Sequence, residues 1–286
     1  MPDFDKNKAY AEQEEDVYFD DGREIELLHF VFNKPDLDDL RGSPEKVLAA
    51  IDEYGRTKKY LMNVGEDKGR IVTDLIAETK PKVMVELGGY VGYSTILFGD
   101  ALRRAGGTRL YSLERNPEFA GVITLLADLA GLSDIVRVVV GPSAASLSRL
   151  HTSGTLPHID LLFLDHYKPA YLPDLKLCER LGLVTPGSVL AADNVIKPGN
   201  PPYLAYVRSS VEEKRAAAAK AGGQNGGGSF SERVAKQYEK REGEEKLDED
   251  EVGNPDLRYQ SELVNSFEPT GIPDAVEITR CIGVES

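Results

Sequence analysis

Three side chains with oxygen donors follow short apolar runs: Asp165 after Leu161–Leu164, and Asp193 with Asn194 after Val189–Ala192. Two carboxylates and an amide oxygen form the hard donor set that holds Mg²⁺, with the remaining positions left to water or substrate. Taken singly, each aspartate is explained as well by a turn or a helix cap. That both follow apolar runs of the buried kind makes capping a less complete account. Lys168, three residues past Asp165, is a surface lysine by default. It becomes a candidate base where burial or a neighbouring cation lowers its hold on a proton. His166 reads more readily as a packing histidine than as a ligand. The four histidines are scattered and neither Cys178 nor Cys281 has a nearby partner, so nothing favours zinc.

A second constellation is Glu86-Leu87-Gly88-Gly89-Tyr90-Val91-Gly92-Tyr93-Ser94. Its glycines permit a tight turn and close approach to a ligand, but Gly88 and Gly92 are four apart, which is not the G-x-G-x-x-G spacing of dinucleotide sites. Glu86 suits a cationic or hydroxyl-bearing ligand better than a pyrophosphate. Glu114, 22 residues after Gly92, stands where an acid accepts hydrogen bonds from ribose hydroxyls. The bland alternative is a plain strand-to-helix turn and a solvated strand end.

These residues need a frame that brings strand ends together. Val83–Leu87, Leu110–Leu113, Val136–Val140, Leu161–Leu164 and Val189–Ala192 read as strands buried on both faces. Between them lie helical segments, the clearest being Pro117–Ala130, with Asn116 as its cap and apolar residues at three- and four-residue spacing. Pro44–Tyr60 and Lys68–Thr79 read as helices before the first strand, and Asp274–Cys281 as a last strand. The alternation predicts a doubly wound α/β sheet, whose ligands bind beyond the carboxyl ends of its strands.

Of 286 residues, 48 are acidic and 34 basic, a net charge of −14. This argues against a broad positive field for nucleic acid or an anionic membrane. Two cysteines suggest a reducing compartment, no apolar run is long enough to span a bilayer, and the polar start is unlike a secretory signal. The expectation is a cytoplasmic protein. Residues 1–40 hold 13 acids and 4 bases, so residues 1–43 read as an acidic arm and lead-in, its first twenty solvated. Residues 44–286 read as a single domain, with an irregular insertion at about 212–256 that includes Gly222–Gly228.

Met62-Asn63-Val64-Gly65, the Glu86–Ser94 turn, Phe163–Lys168 with Tyr171-Leu172-Pro173-Asp174, and Ala192–Val195 stand in an order and spacing that resemble the catechol O-methyltransferase family from about residue 44 to 208, with Arg258–Ser261 similar as well. The resemblance implies a Rossmann-like methyltransferase sheet of seven strands, the last antiparallel, and an enzyme that uses S-adenosylmethionine and Mg²⁺ on a small-molecule catechol. By position, Val64, Glu86, Tyr90, Ser94, Glu114, Ser143 and Asp165 match donor-binding residues. Asp165, Asp193 and Asn194 match the magnesium ligands. Lys168 matches the base, and Lys168, Asn194 and Glu268 match the substrate-binding positions. Tyr60 and Tyr167 stand where the family has tryptophans, and Arg115 where it tends to have an apolar residue; the chain has no tryptophan. Family precedent suggests a monomer. Two other readings compete: transfer to another ortho-dihydroxy aromatic, such as a caffeoyl-type ester or pigment intermediate, and a non-catalytic protein that binds the methyl donor. A nicotinamide dehydrogenase fits poorly, because the glycine spacing is wrong.

Overall fold

The five apolar runs form five parallel strands in the computed structural model, which describes residues 4–13, 18–220, 247–248 and 251–285. They are β1 (Val83–Leu87), β2 (Arg109–Glu114), β3 (Val136–Val140), β4 (Leu161–Leu164) and β5 (Val189–Ala192). Two long C-terminal strands, β6 (Leu257–Phe267) and β7 (Pro273–Val284), complete a seven-stranded sheet ordered β3-β2-β1-β4-β5-β7-β6. β7 runs antiparallel to β5, and β6 antiparallel to β7. The strand order turns back at β1, which pairs with β2 on one side and β4 on the other. That is the point where an open α/β sheet leaves a crevice for a ligand.

Alternate residues of these strands feed two separate cores, because successive side chains point to opposite faces. Met84, Phe163 and Ala191 join one cluster; Val85, Leu87, Leu162 and Leu164 join the other. The first is covered by α1 (Arg23–Phe32), α2 (Leu37–Leu40), α3 (Pro44–Thr57), α4 (Gly65–Thr79), α5 (Tyr93–Arg104) and α6 (Pro117–Leu129). The second is covered by α7 (Ser143–Thr152), α8 (Tyr171–Arg180) and α9 (Pro201–Arg208). α6 starts where its sequence says, with the Asn116 side chain accepting from the N–H groups of Glu118 and Phe119 ahead of Pro117. Among the described residues no helix is long and apolar enough to cross a membrane.

The lead-in differs from a solvated arm. Tyr10 and Phe19 are 6% and 2% exposed within the first core, and α1 buries Leu27 and Val31 completely. Apolar side chains spaced along an acidic segment suffice to dock it, since the acids can stay outside. The segment read as an insertion opens as a helix, α10 (Val211–Lys220), and near the segment's end Glu251 pairs with Arg180 at 2.7 Å. Residues 221–246 and 249–250, with the glycine-rich run, lie outside the described residues.

Candidate active site

A cavity of about 800 Å³ opens at the carboxyl ends of the strands. Its wall includes Val64, Gly88, Tyr90 and Ser94 on the glycine turn side, and Asp165, Lys168, Asp193, Asn194 and Glu268 from the ends of β4, β5 and β6. Parallel pairing fixes these tips: the Asp165 N–H donates to Leu87 O and the Asp193 N–H to Leu164 O, both at 3.0 Å, so each acid sits one step beyond the ladder.

The glycine turn is tight. At Gly88, with φ at 86°, a Cβ would lie 2.6 Å from the carbonyl oxygen of Asp165, so a side chain there would push the two loops apart. Tyr90 adopts φ of 49°, a left-handed conformation uncommon for a bulky residue. It is held by its hydroxyl on buried Glu24 at 2.9 Å and by an edge contact to Phe119. Glu114 accepts from the N–H groups of Gly89 and Tyr90 with one oxygen and from Asn116 N–H with the other. Besides any ligand role, it therefore braces the turn. Ser143 opens α7 beyond β3 and is half-buried outside the cavity wall.

Glu86 is fully buried at the end of β1. One oxygen accepts from the hydroxyls of Thr95 and Ser112; the other, Oε1, has no hydrogen-bond partner among the described residues. Burial pushes this carboxyl up to about 7, against the pull of the Ser112, Ser94 and Thr95 hydroxyls. Its proton is therefore bound more tightly in the folded chain than in the unfolded one. The associated stability is full below the ordinary carboxyl range and is lost as pH rises toward 7. The loss is about 3 kcal/mol, the rise from the ordinary 4.5 to about 7 taken at 1.36 kcal/mol per tenfold change in proton affinity. Denaturant unfolding of the ligand-free chain between pH 5 and 8 should show the decline, and Glu86→Gln should flatten that share of it. Parallel slopes in the two proteins would contradict this account.

The acid cluster is built around a buried cation. Lys68, on α4 and wholly unexposed, lies 2.7 Å from Glu268 Oε1 and 3.1 Å from Asp274 Oδ2, and donates to Asp193 Oδ2 at 2.8 Å. The Asn194 amide donates to Glu268 Oε1 at 2.6 Å and Asp274 Oδ2 at 3.1 Å. This draws Glu268 to the Asn194 tip although the two are 74 positions apart. Lys168 donates to Asp165 Oδ1 at 2.9 Å and to the Tyr171 hydroxyl at 2.7 Å. Its backbone oxygen is pinned by the Asn200 amide. His166 pairs with Asp174 at 2.9 Å and stacks on Tyr171, a packing role.

Burial raises the Asp165 carboxyl to about 6, with Asp193 adding to the rise and Lys168 and Lys68 opposing it. Burial raises Glu268 to about 8, again helped by Asp193 and opposed by Lys68. Asp274 goes the other way: burial would raise it, but Lys68, Glu268 and the Lys197 N–H together hold it low.

Every residue expected from the sequence as a ligand or base lies on this cavity except Glu86, which is buried at the strand end beneath the turn, Glu114, which braces the turn, and Ser143. Tyr60 and Tyr167, at the family's tryptophan positions, both face the cavity. Lys68, Asp274, Asn200 and Glu24 carry no site role in the sequence reading, and Tyr171 enters it only within a family motif. Lys68 did leave a signal: it shares the buried face of α4 with Val72, Leu75 and Ile76, at helical spacing. Among the described residues no three His, Cys, Asp or Glu side chains gather as a metal-binding group. A magnesium site here would need the Asn194 amide as its third donor.

A family model for a methyltransferase domain matches residues 85–195. Bovine (Bos taurus) catechol O-methyltransferase is 44% identical over 171 residues, 60% of this chain and 62% of that protein, so the chain spans about three-fifths of the length of this relative. The pig (Sus scrofa) catechol O-methyltransferase is 44% identical over 151 residues, 53% of this chain and 80% of the relative. An O-methyltransferase from Streptomyces achromogenes, solved in complex with S-adenosylmethionine, shares the fold at a TM-score of 0.53 and 20% identity, covering 92% of this chain and 96% of the other. With 44% identity maintained over four-fifths of the pig protein, this chain belongs to the catechol O-methyltransferase family.

Proposed function

We propose that the chain transfers the methyl group of S-adenosylmethionine to one hydroxyl of a catechol. The observation that carries this reading is one cavity whose wall unites the glycine turn with the cluster of Asp165, Lys168, Asp193, Asn194 and Glu268. The donor would lie along Val64, Tyr90 and Ser94, with Glu114 offered to its ribose. The unpartnered Oε1 of buried Glu86 favours a ligand that brings positive charge or a hydroxyl to that end.

The residues fit a divalent, oxygen-seeking cation. Within the hydrogen-bonded cluster, the ammonium groups of Lys68 and Lys168 face the carboxyls of Asp165, Asp193, Glu268 and Asp274. Fully ionised, the set is two positive charges short of neutrality; burial first, then the charge of Asp193, raises the Glu268 and Asp165 carboxyls. Asp193 Oδ1 is buried and makes no hydrogen bond of its own, although it lies 2.7 Å from the Lys68 ammonium. Asp165, Asp193 and the carbonyl oxygen of Asn194 would hold Mg²⁺. The ion would supply charge that favours the phenolate form of the acceptor.

The rest is work for the chain's own side chains. Glu268 accepts a hydrogen bond from the catechol hydroxyl that does not react. Lys168, fixed in the wall by Asp165 and Tyr171, acts as base in its neutral amine form, its ammonium proton having first left to solvent, and takes the proton that the attacking hydroxyl loses. The new bond joins phenolic oxygen to the methyl carbon as the carbon–sulfur bond breaks, leaving S-adenosylhomocysteine. Holding oxygen and carbon in line supplies the larger share of the acceleration, on the order of 7–11 kcal/mol.

The test is mass spectrometry of products from the purified chain with S-adenosylmethionine and a panel of catechol, phenol, resorcinol and a caffeoyl ester. Single methylation of catechol is expected, with at least about a hundred-fold loss on adding EDTA, comparable to removing one electrostatic contact from a site. Equal transfer to phenol would remove the chelation argument. Transfer to the caffeoyl ester alone would move the acceptor class.

A further inference from the structure

The N-terminal strap, residues 4–13, packs on the loop between β6 and β7 at the acceptor end of the cavity. Phe4 packs its ring on Phe267 at 5.6 Å and sits so tightly over Gly271 that a Cβ there would fall 2.7 Å from it. The Tyr10 N–H donates to Pro269 O at 2.9 Å, on the residue next to Glu268. The other side of the strap is tied to the body. Ala11 N–H donates to Gly55 O at 2.9 Å, and the Tyr10 hydroxyl donates to Asp52 at 2.6 Å while accepting from Asn63. Lys8 pairs with Glu66 at the start of α4. The loop between β6 and β7 closes on itself through Glu268 N–H to Ile272 O and Gly271 N–H to Glu268 O. The body holds its Glu268 side chain through Lys68 and Asn194 and packs Gly65 against Pro269, while the strap holds its Phe267, Pro269 and Gly271. Glu12 and Gln13 then continue from the strap into the cavity wall, which Tyr18 and Glu268 also line.

We propose that the strap Phe4–Gln13 is part of the acceptor site: Phe4 and Tyr10 are positioning residues that hold the Glu268 loop against α3 and α4, and Glu12 and Gln13 form the outer wall. The inference rests on the reading of Glu268 as the acceptor's anchor. It predicts a split at Phe4, whose ring packs on Phe267 and Gly271 at the acceptor end; Tyr10 also meets Asn63, beside the donor-side Val64. Binding of the acceptor depends on the Phe4 ring, and binding of the donor does not.

Full-length Phe4→Ala separates these terms. The KM for catechol should rise roughly three- to ten-fold, as expected for loss of one aromatic pair. The Kd for S-adenosylhomocysteine by calorimetry should stay within about two-fold, well below that loss. Amide hydrogen exchange across residues 263–274 should quicken, with β1, β4 and β5 unchanged. Glu12→Ala should raise the catechol KM without altering that exchange. Unchanged exchange in Phe4→Ala, or KM and Kd rising together, would overturn the proposal. Should the wild-type chain methylate no catechol, the acceptor reading itself falls, while the exchange measurement still decides whether the strap clamps the loop.

Discussion

Asp193→Ala is expected to lower kcat for catechol methylation by roughly 10²–10³-fold, the loss typical of removing one preorganised electrostatic contact from an active site. The variant should fold. Its backbone N–H still donates to Leu164 O, and Lys68 keeps Glu268 and Asp274 as partners. Donor affinity should also survive, because Asp193 makes no hydrogen bond to the glycine turn in this structure. The lost carboxylate is instead one of the proposed magnesium ligands, and its charge adds to the burial that raises both Asp165 and Glu268. Asp193→Asn preserves size and removes only charge. If charge is the point, it should fall nearly as far as alanine. Single-turnover rates at saturating Mg²⁺, with S-adenosylhomocysteine affinity measured alongside, check both. An Asp193→Ala protein as active as wild type would exclude the metal assignment.

The parts of this molecule that could be read from sequence are those where one residue type admits one physical explanation. Strands buried on both faces must be continuous apolar runs, so β1, β2, β4 and β5 announced themselves, and the acids just beyond Leu164 and Ala192 were thereby placed on one edge. β3 carries the same kind of run but lies at the sheet edge with Arg137 and Val140 exposed, against the expectation of burial on both faces. β6 was not anticipated as a strand. It lies at the sheet edge and is exposed over much of its length, so it carries no apolar run. Glu268 came only from family resemblance, since its loop is brought to Asn194 by an antiparallel return that periodicity does not reveal. The arm was misjudged for a related reason: its acids dominate the composition, whereas Phe4, Tyr10 and Phe19 decide where it docks. Composition averages over a segment, and docking is settled by a few side chains.

Lys68→Met should be the most damaging single change to stability, at about 3–5 kcal/mol, the usual result of removing one partner from a buried ionic cluster. Methionine fills much the same volume on α4, so packing is largely kept and the loss reports charge. Asp193, Glu268 and Asp274 would then face one another with only the Asn194 amide between the last two. Like charges so placed hold protons more tightly. The carboxyls of the variant should therefore titrate higher than those of the wild type. Protonation relieves the repulsion, so the stability gap between the two proteins should be narrow near pH 5 and widen as pH rises through 7 and 8. Denaturant unfolding across that range measures the gap. A gap that stayed constant with pH would mean that Lys68 acts through its methylene stem alone. Millimolar Mg²⁺ adds a second arm, because an ion held by Asp165, Asp193 and Asn194 replaces part of the missing positive charge. It should stabilise Lys68→Met more than the wild type, and Ca²⁺ or Na⁺ at equal ionic strength serves as the control for screening. Equal shifts in both proteins would leave the acids without a specific divalent site and would return the cluster to a structural role centred on Lys68.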